Sequence, residues 1–181
     1  LKVLNRDNTA DWYNDQYKRW HAMGHESLRV ALRLDDEFGG DAGDKAGNDA
    51  VGRFYTALGT EGHVKGRRDD FAASTESFVG ECLEIAGFDR RFVESAFDTS
   101  FDARIESSTE EALSRTGRDV GTPILTFHPG SADEGSFFGP VIARIPRGPE
   151  ALRLWDAVEV VATTPGVSEL KRSLRDKPNF S

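Results

Sequence analysis

The sequence predicts an α/β protein in which a large all-helical insertion interrupts a small sheet. Three observations carry this. Short apolar segments of strand composition stand at both ends of the chain, at residues 1–4 and again at 122–127 and 136–142. Between them, from about residue 9 to residue 116, apolar residues recur at helical spacing. A final helix-period stretch follows the last strand. The order strand, helical block, strand, strand, helix is the pattern of an insertion into a sheet domain. It divides the chain into a sheet domain of residues 1–8 and 117–181, and a helical subdomain of residues 9–116.

In chain order, Leu1-Lys2-Val3-Leu4 reads as the end of a strand already under way, which predicts that the natural protein begins upstream of Leu1. Asn8 and Thr9 are helix-capping residue types, and Trp12, Tyr13, Gln16, Tyr17 and Trp20 follow at helical spacing. A second helix is expected over 26–38, with Leu28, Ala31, Leu32 and Leu34 on its apolar side. Residues 39–48 are rich in Gly and Asp and read as a loop. A helix over 49–58 stops near Gly59. A stronger one over 69–86 places Phe71, Thr75, Phe78, Val79, Cys82 and Ala86 on one face, with Gly87 as its stop. Helical pieces over 90–97 and 101–115 complete the block.

Thr122 to Phe127 then reads as a buried strand, 128–135 as a turn, and Ser136-Phe137-Phe138 with Val141-Ile142 as the returning strand, bent at Gly139-Pro140. Pro149 opens the last helix from its first turn. Its expected buried stripe is Ala151, Leu154, Trp155, Val158, Val161 and Ala162. Pro165-Gly166 ends it, and Leu170 and Phe180 are expected to pin a short tail.

With 23 basic and 31 acidic residues among 181, the net charge is −8. A chain of that sign repels a phosphate backbone, so nucleic acid is not an expected partner. The longest apolar runs fall far short of a membrane span. One cysteine, Cys82, rules out an internal disulfide and fits a reducing cytoplasm.

Val120-Gly121-Thr122-Pro123 is unusual ahead of an apolar strand, because proline lacks the N–H that a central strand donates. A cis peptide at Thr122-Pro123 is one resolution, and an ordinary trans proline at a strand start is the other. The longer pattern continues through Phe137-Phe138-Gly139-Pro140-Val141, Ile145-Pro146-Arg147-Gly148, Leu154-Trp155-Asp156-Ala157 and Glu169-Leu170-Lys171-Arg172. Earlier, Val3-Leu4-Asn5 and Phe54-Tyr55-Thr56-Ala57-Leu58-Gly59 with His63 agree with it. Together these resemble the DsbA-family thioredoxin-fold oxidoreductases, closest to the mycothiol-dependent nitroreductase type.

That resemblance implies a thioredoxin-like (DsbA-like) sheet with the helical insertion closing over a redox centre. It implies a cis-proline loop at Thr122 and Pro123 that positions the substrate, and a cleft that Asn5, Tyr17 and His63 could line. It further implies a Cys-Pro-x-Cys at the start of the first helix, which has no match in these residues and is expected upstream of Leu1. No catalytic residue is therefore assigned within the chain. A low-molecular-weight thiol, mycothiol or glutathione, is the implied co-substrate, with no cofactor bound, and a small-molecule or protein disulfide is the implied substrate. A strand missing between residues 1–4 and 122–127 would leave the backbone of 124–127 as an open edge, filled either by an upstream strand or by a second copy in a homodimer.

Other constellations read as structural. Cys82 sits on an apolar helix face, away from any helix N-terminus that would lower its pKa. His21 and His25 stand four apart and could share a metal, but two ligands make no site, and two exposed histidines are expected. Asp35, Asp36, Glu37, Asp41, Asp44 and Asp49 lack the ligand spacing of a calcium loop and are expected to be solvated. His63, His128 and the serines lack a Gly-x-Ser-x-Gly elbow. Three functions stand: a thiol-disulfide oxidoreductase, a DsbA-like glutathione-dependent isomerase or transferase, and a non-catalytic binding homologue.

Overall fold

The computed structural model describes residues 1–40, 44–172, 174, 176, 178 and 179. The expected loop residue Asp41 and the tail anchor Phe180 lie outside the described residues. The chain forms two compact units, Leu1–Thr109 and Glu110–Ser181. It is rich in helix with a small two-stranded sheet, a mixed α/β composition.

The first unit is helical. Residues 1–7 form turns, with the Asn5 N–H donating to the Leu1 carbonyl and the Arg6 N–H to that of Val3, and not the strand expected over 1–4. A strand needs a neighbour to take its hydrogen bonds, and these backbone groups find theirs locally. α1 (Asp15–Gly39) is one helix where two were expected. Nothing between Trp20 and Glu26 breaks it, since Gly24 alone is a weak interruption and no proline intervenes. Its cap is Asn14, which accepts from the Tyr17 N–H, while Asn8 instead accepts from Ala10 in a tight turn.

α2 (Lys45–Gly59) starts earlier than its apolar spacing implies because Asp44 caps it. A π-helical turn, Thr60–Val64, prolongs it. The helix expected over 69–86 is two, α3 (Arg68–Ala73) and α4 (Thr75–Ile85). Ser74 adopts an extended conformation and accepts from the Ser77 N–H, capping α4 and breaking the run. A 3-10 segment, Arg90–Phe97, precedes α5 (Asp102–Thr116).

The core of this unit joins Val30 and Leu34 of α1, Ala50, Phe54 and Ala57 of α2, and Phe78, Val79, Cys82 and Leu83 of α4, closed by Phe88, Phe92, Val93 and Ala96. Burying one such aromatic or aliphatic side chain is worth about 1.5–3 kcal/mol. The face expected from the sequence is thus the buried one, with Phe71 and Ala86 at its margin.

In the second unit β1 (Ile124–Phe127) pairs antiparallel with β2 (Gly135–Phe138), Ile124 opposite Phe138 and Phe127 opposite Gly135. The returning strand ends at Phe138, and Val141 and Ile142 lie outside it, exposed. Beyond the ladder the Gly139 N–H donates to the Pro123 carbonyl at 2.9 Å. Antiparallel alternation then makes Leu125–Phe137 and Phe127–Gly135 the hydrogen-bonded pairs, and turns the N–H and C=O of Ile124 and Thr126 away from β2. Among the described residues no third strand joins this sheet.

α6 (Gly148–Thr163), with Pro149 in its first turn, packs on both strands. Phe127 meets Trp155 at 5.1 Å between ring centroids. The apolar stripe expected to be buried is at best half-buried, and Trp155 itself is 53% exposed. Two short strands are too narrow to cover the helix, which leaves Leu152 and Val160 open as well.

Candidate functional site

An aromatic cluster gathers around the N-terminus of α1, with Trp12 and Tyr13 in the turn before the helix and Tyr17, Trp20 and His21 in its first two turns. Tyr17 meets Trp12 and Trp20 edge-on at 5.6 and 5.3 Å. Tyr13 lies 5.3 Å from His21, and its hydroxyl is 3.2 Å from His21 Nδ1. Trp20 is half-buried, and its indole N–H is buried with no acceptor among the described residues. Such a donor costs on the order of 1–3 kcal/mol.

The π-helical turn and α3 come up beside this run. The guanidinium of Arg68, in the first turn of α3, lies over the Trp20 ring at 5.4 Å. The same group places Nη2 2.9 Å from His63 Nδ1. Tyr17, Trp20, Arg68 and His63 therefore form one contiguous chain of contacts. Burial lowers the pKa of His63, and the charge of Arg68 lowers it further.

The turn carrying His63 is anchored through Glu61 and Arg67 to α4. Glu61, 3% exposed, accepts from Lys65 Nζ at 2.7 Å and from Arg67 Nη1 at 3.0 Å. Arg67 also bonds Asp70 and Glu81, at 2.8 and 2.9 Å. These donors hold the Glu61 carboxyl below its usual range.

Of the residues named from the sequence, Tyr17 and His63 are brought together through Trp20 and Arg68. Asn5 turns its amide to Leu1 and Asn8, donating to the Leu1 carbonyl at 3.0 Å and accepting from Asn8 at 2.8 Å. Thr122 and Pro123 belong to the other unit, exposed at the entrance to β1, and the peptide bond between them is cis. Periodicity could not have found Arg68. It reaches His63 across the left-handed turn at Gly66, where helical spacing says nothing.

The two histidines four apart on α1 are not the exposed pair that was expected. His25 is buried, with Nε2 2.8 Å from Asp102 Oδ1, while His21 faces Tyr13. Among the described residues no cluster of three metal-ligating side chains occurs. Cys82 is buried in the core, and burial pushes its thiol up to about 12. At neutral pH it is a protonated thiol, a poor nucleophile. No helix among the described residues is long and apolar enough to cross a membrane.

Comparison with known proteins adds two findings. The family model described as Rv2466c-like, mycothiol-dependent nitroreductase Rv2466c, matches residues 1–172. The uncharacterized protein Rv2286c of Mycobacterium tuberculosis (strain ATCC 25618 / H37Rv) is 30% identical over 122 residues, which cover 66% of this chain and 48% of that protein. The chain thus spans about half the length of the curated relative it matches.

Proposed function

The chain belongs to the Rv2466c-like mycothiol-dependent nitroreductase family, and from that premise we propose that it acts as part of a low-molecular-weight-thiol-dependent oxidoreductase with mycothiol as co-substrate. The observation that carries this reading is the family match, which runs through both units.

On this reading residues 1–8 and 117–181 belong to a thioredoxin-like, DsbA-like sheet domain, and residues 9–116 are its helical insertion. Thr122 and Pro123 form the loop that presents a backbone edge to the reacting sulfur. Asn5, Tyr17 and His63 line the cleft. A cysteine thiolate attacks the disulfide of oxidised mycothiol, one S–S bond forms as the other breaks, and the second mycothiol leaves as thiolate. Cys82 cannot be that nucleophile, because it is buried and protonated. The reading places the thiolate in a Cys-x-x-C preceding Leu1, at a helix N-terminus that lowers its pKa. A reducing cytoplasm is the compartment such chemistry needs. A second copy is the candidate partner for the outward edge of β1 if no further strand fills it.

The test is mass spectrometry of the protein expressed from its complete reading frame, after incubation with oxidised mycothiol. A mycothiol adduct on a cysteine other than Cys82 is expected. An adduct on Cys82 alone, or none while the protein remains folded, overturns the reading.

A further inference from the structure

The geometry points to Arg68 as a positioning residue that locks the imidazole of His63 into its neutral form with the proton on Nε2. The inference deepens the proposed function, and its link to turnover rests on that reading. Its structural part stands on the geometry.

A guanidinium has donors and no acceptor. With Arg68 Nη2 2.9 Å from His63 Nδ1, the bond exists only if Nδ1 offers a lone pair. The ring proton is then on Nε2. Protonating Nδ1 to make the imidazolium would set two donors, both cationic, against each other. Arg68 therefore selects one of two tautomers and opposes the third, charged state.

Arg68 can do this because it is itself held. Its guanidinium lies over the Trp20 ring at 5.4 Å, a cation–π contact, and Trp20 is braced edge-on by Tyr17. Glu61 is tied to Lys65 and Arg67, and Arg67 in turn to Glu81 of α4, which holds the π-helical turn against that helix. Burial lowers the titration of His63, and the charge of Arg68, from α3, acts in the same direction. With its Nδ1 lone pair committed to Arg68, His63 does not act as a general base through that nitrogen.

The experiment is ¹⁵N–¹H correlation of the imidazole nitrogens in the full 181-residue chain, across neutral to acidic pH, with His63→Gln to assign the signal. In the unmodified chain the expected pattern is a single tautomer, Nε2 protonated and Nδ1 bare. In Arg68→Ala the single-tautomer pattern is lost and the titration midpoint of His63 moves up. In Arg68→Lys, which keeps a cationic donor, the pattern is partly restored. Arg68 is exposed, so these variants are expected to fold, and the unmodified chain alone already decides the tautomer. An Nδ1-protonated ring, an even mixture, or a pattern indifferent to Arg68→Ala overturns the inference. In the complete protein the acid limb of the kcat/KM profile is expected to shift to higher pH in Arg68→Ala. Locking of His63 without any mycothiol-dependent activity sinks the functional reading and leaves the positioning intact.

Discussion

Arg29 of α1 grips Asp102, the first residue of α5, through two parallel hydrogen bonds, Nε to Oδ1 at 2.7 Å and Nη2 to Oδ2 at 2.8 Å. The remaining Nη1 donates to the Ala96 carbonyl at 2.8 Å, and His25 Nε2 shares Asp102 Oδ1. α1 is thus pinned to the end of the 3-10 segment and the start of α5 by one buried guanidinium. Asp102→Ala leaves that guanidinium, 8% exposed, without its anion. Breaking a fully buried pair costs 3–5 kcal/mol. Asp102 keeps about a third of its side chain in water, so a loss of roughly 2 kcal/mol is expected, read from the urea midpoint.

The same pair sets a pH window. Hydrogen bonding from Arg29, opposed by burial and aided by His25, lowers the Asp102 carboxyl to about 2. An unfolded aspartate titrates near 3.9. The native carboxylate is the more acidic, so its stabilisation is full above about pH 4 and is lost as pH falls toward 2. Asp98 and Glu61, also lowered, act in the same direction. Urea midpoints measured from pH 5 to pH 2 should fall, and the fall should be shallower in Asp102→Asn. An equal slope in both proteins would show that Asp102 is not part of it.

Cys82 should behave as core and not as a redox centre. At 0% exposure with its thiol pushed up to about 12, it should resist a thiol-specific chromogenic disulfide in the native chain and react fully in denaturant. Cys82→Ser should leave dithiol-disulfide exchange by the 181-residue chain at background, and should lower stability by about 1–3 kcal/mol through a buried hydroxyl. Exchange that disappears with Cys82→Ser would contradict the assignment.

How much of this was legible in the sequence depended on the range of the interaction. The core face of Phe78, Val79 and Cys82 could be read because helical burial repeats locally. The break at Ser74 was missed because the apolar spacing runs on through a capping serine, and the turn at residues 1–7 because strand composition says nothing about whether a partner strand is there. His25 read as exposed because its partner, Asp102, lies 77 residues away. In the candidate site, Tyr17 and His63 were named through a resemblance, while the contacts that join them, through Trp20 and Arg68, depend on a π-helical turn and a left-handed glycine that no periodicity encodes.

Gly135 and Gly80 look alike in sequence but differ in what surrounds them. At Gly135, opposite Phe127 in the ladder, an added Cβ would lie 2.2 Å from the Ala162 carbonyl oxygen and 2.8 Å from the Thr163 Cα, both backbone of α6. Neither can move without lifting the end of that helix from β2. At Gly80 the added Cβ would meet the Arg90 guanidinium at 2.6 Å, the far end of a flexible side chain that can swing aside. Alanine also favours the interior of α4, by about 1 kcal/mol over glycine. Gly135→Ala is therefore expected to cost about 1–3 kcal/mol or more, with a changed near-UV signal from Trp155 as α6 shifts against Phe127. Gly80→Ala should stay within about 1 kcal/mol of the unmodified chain. Equal losses at the two positions, measured by urea unfolding, would mean that β2 and α6 are not in the close contact that only a glycine permits.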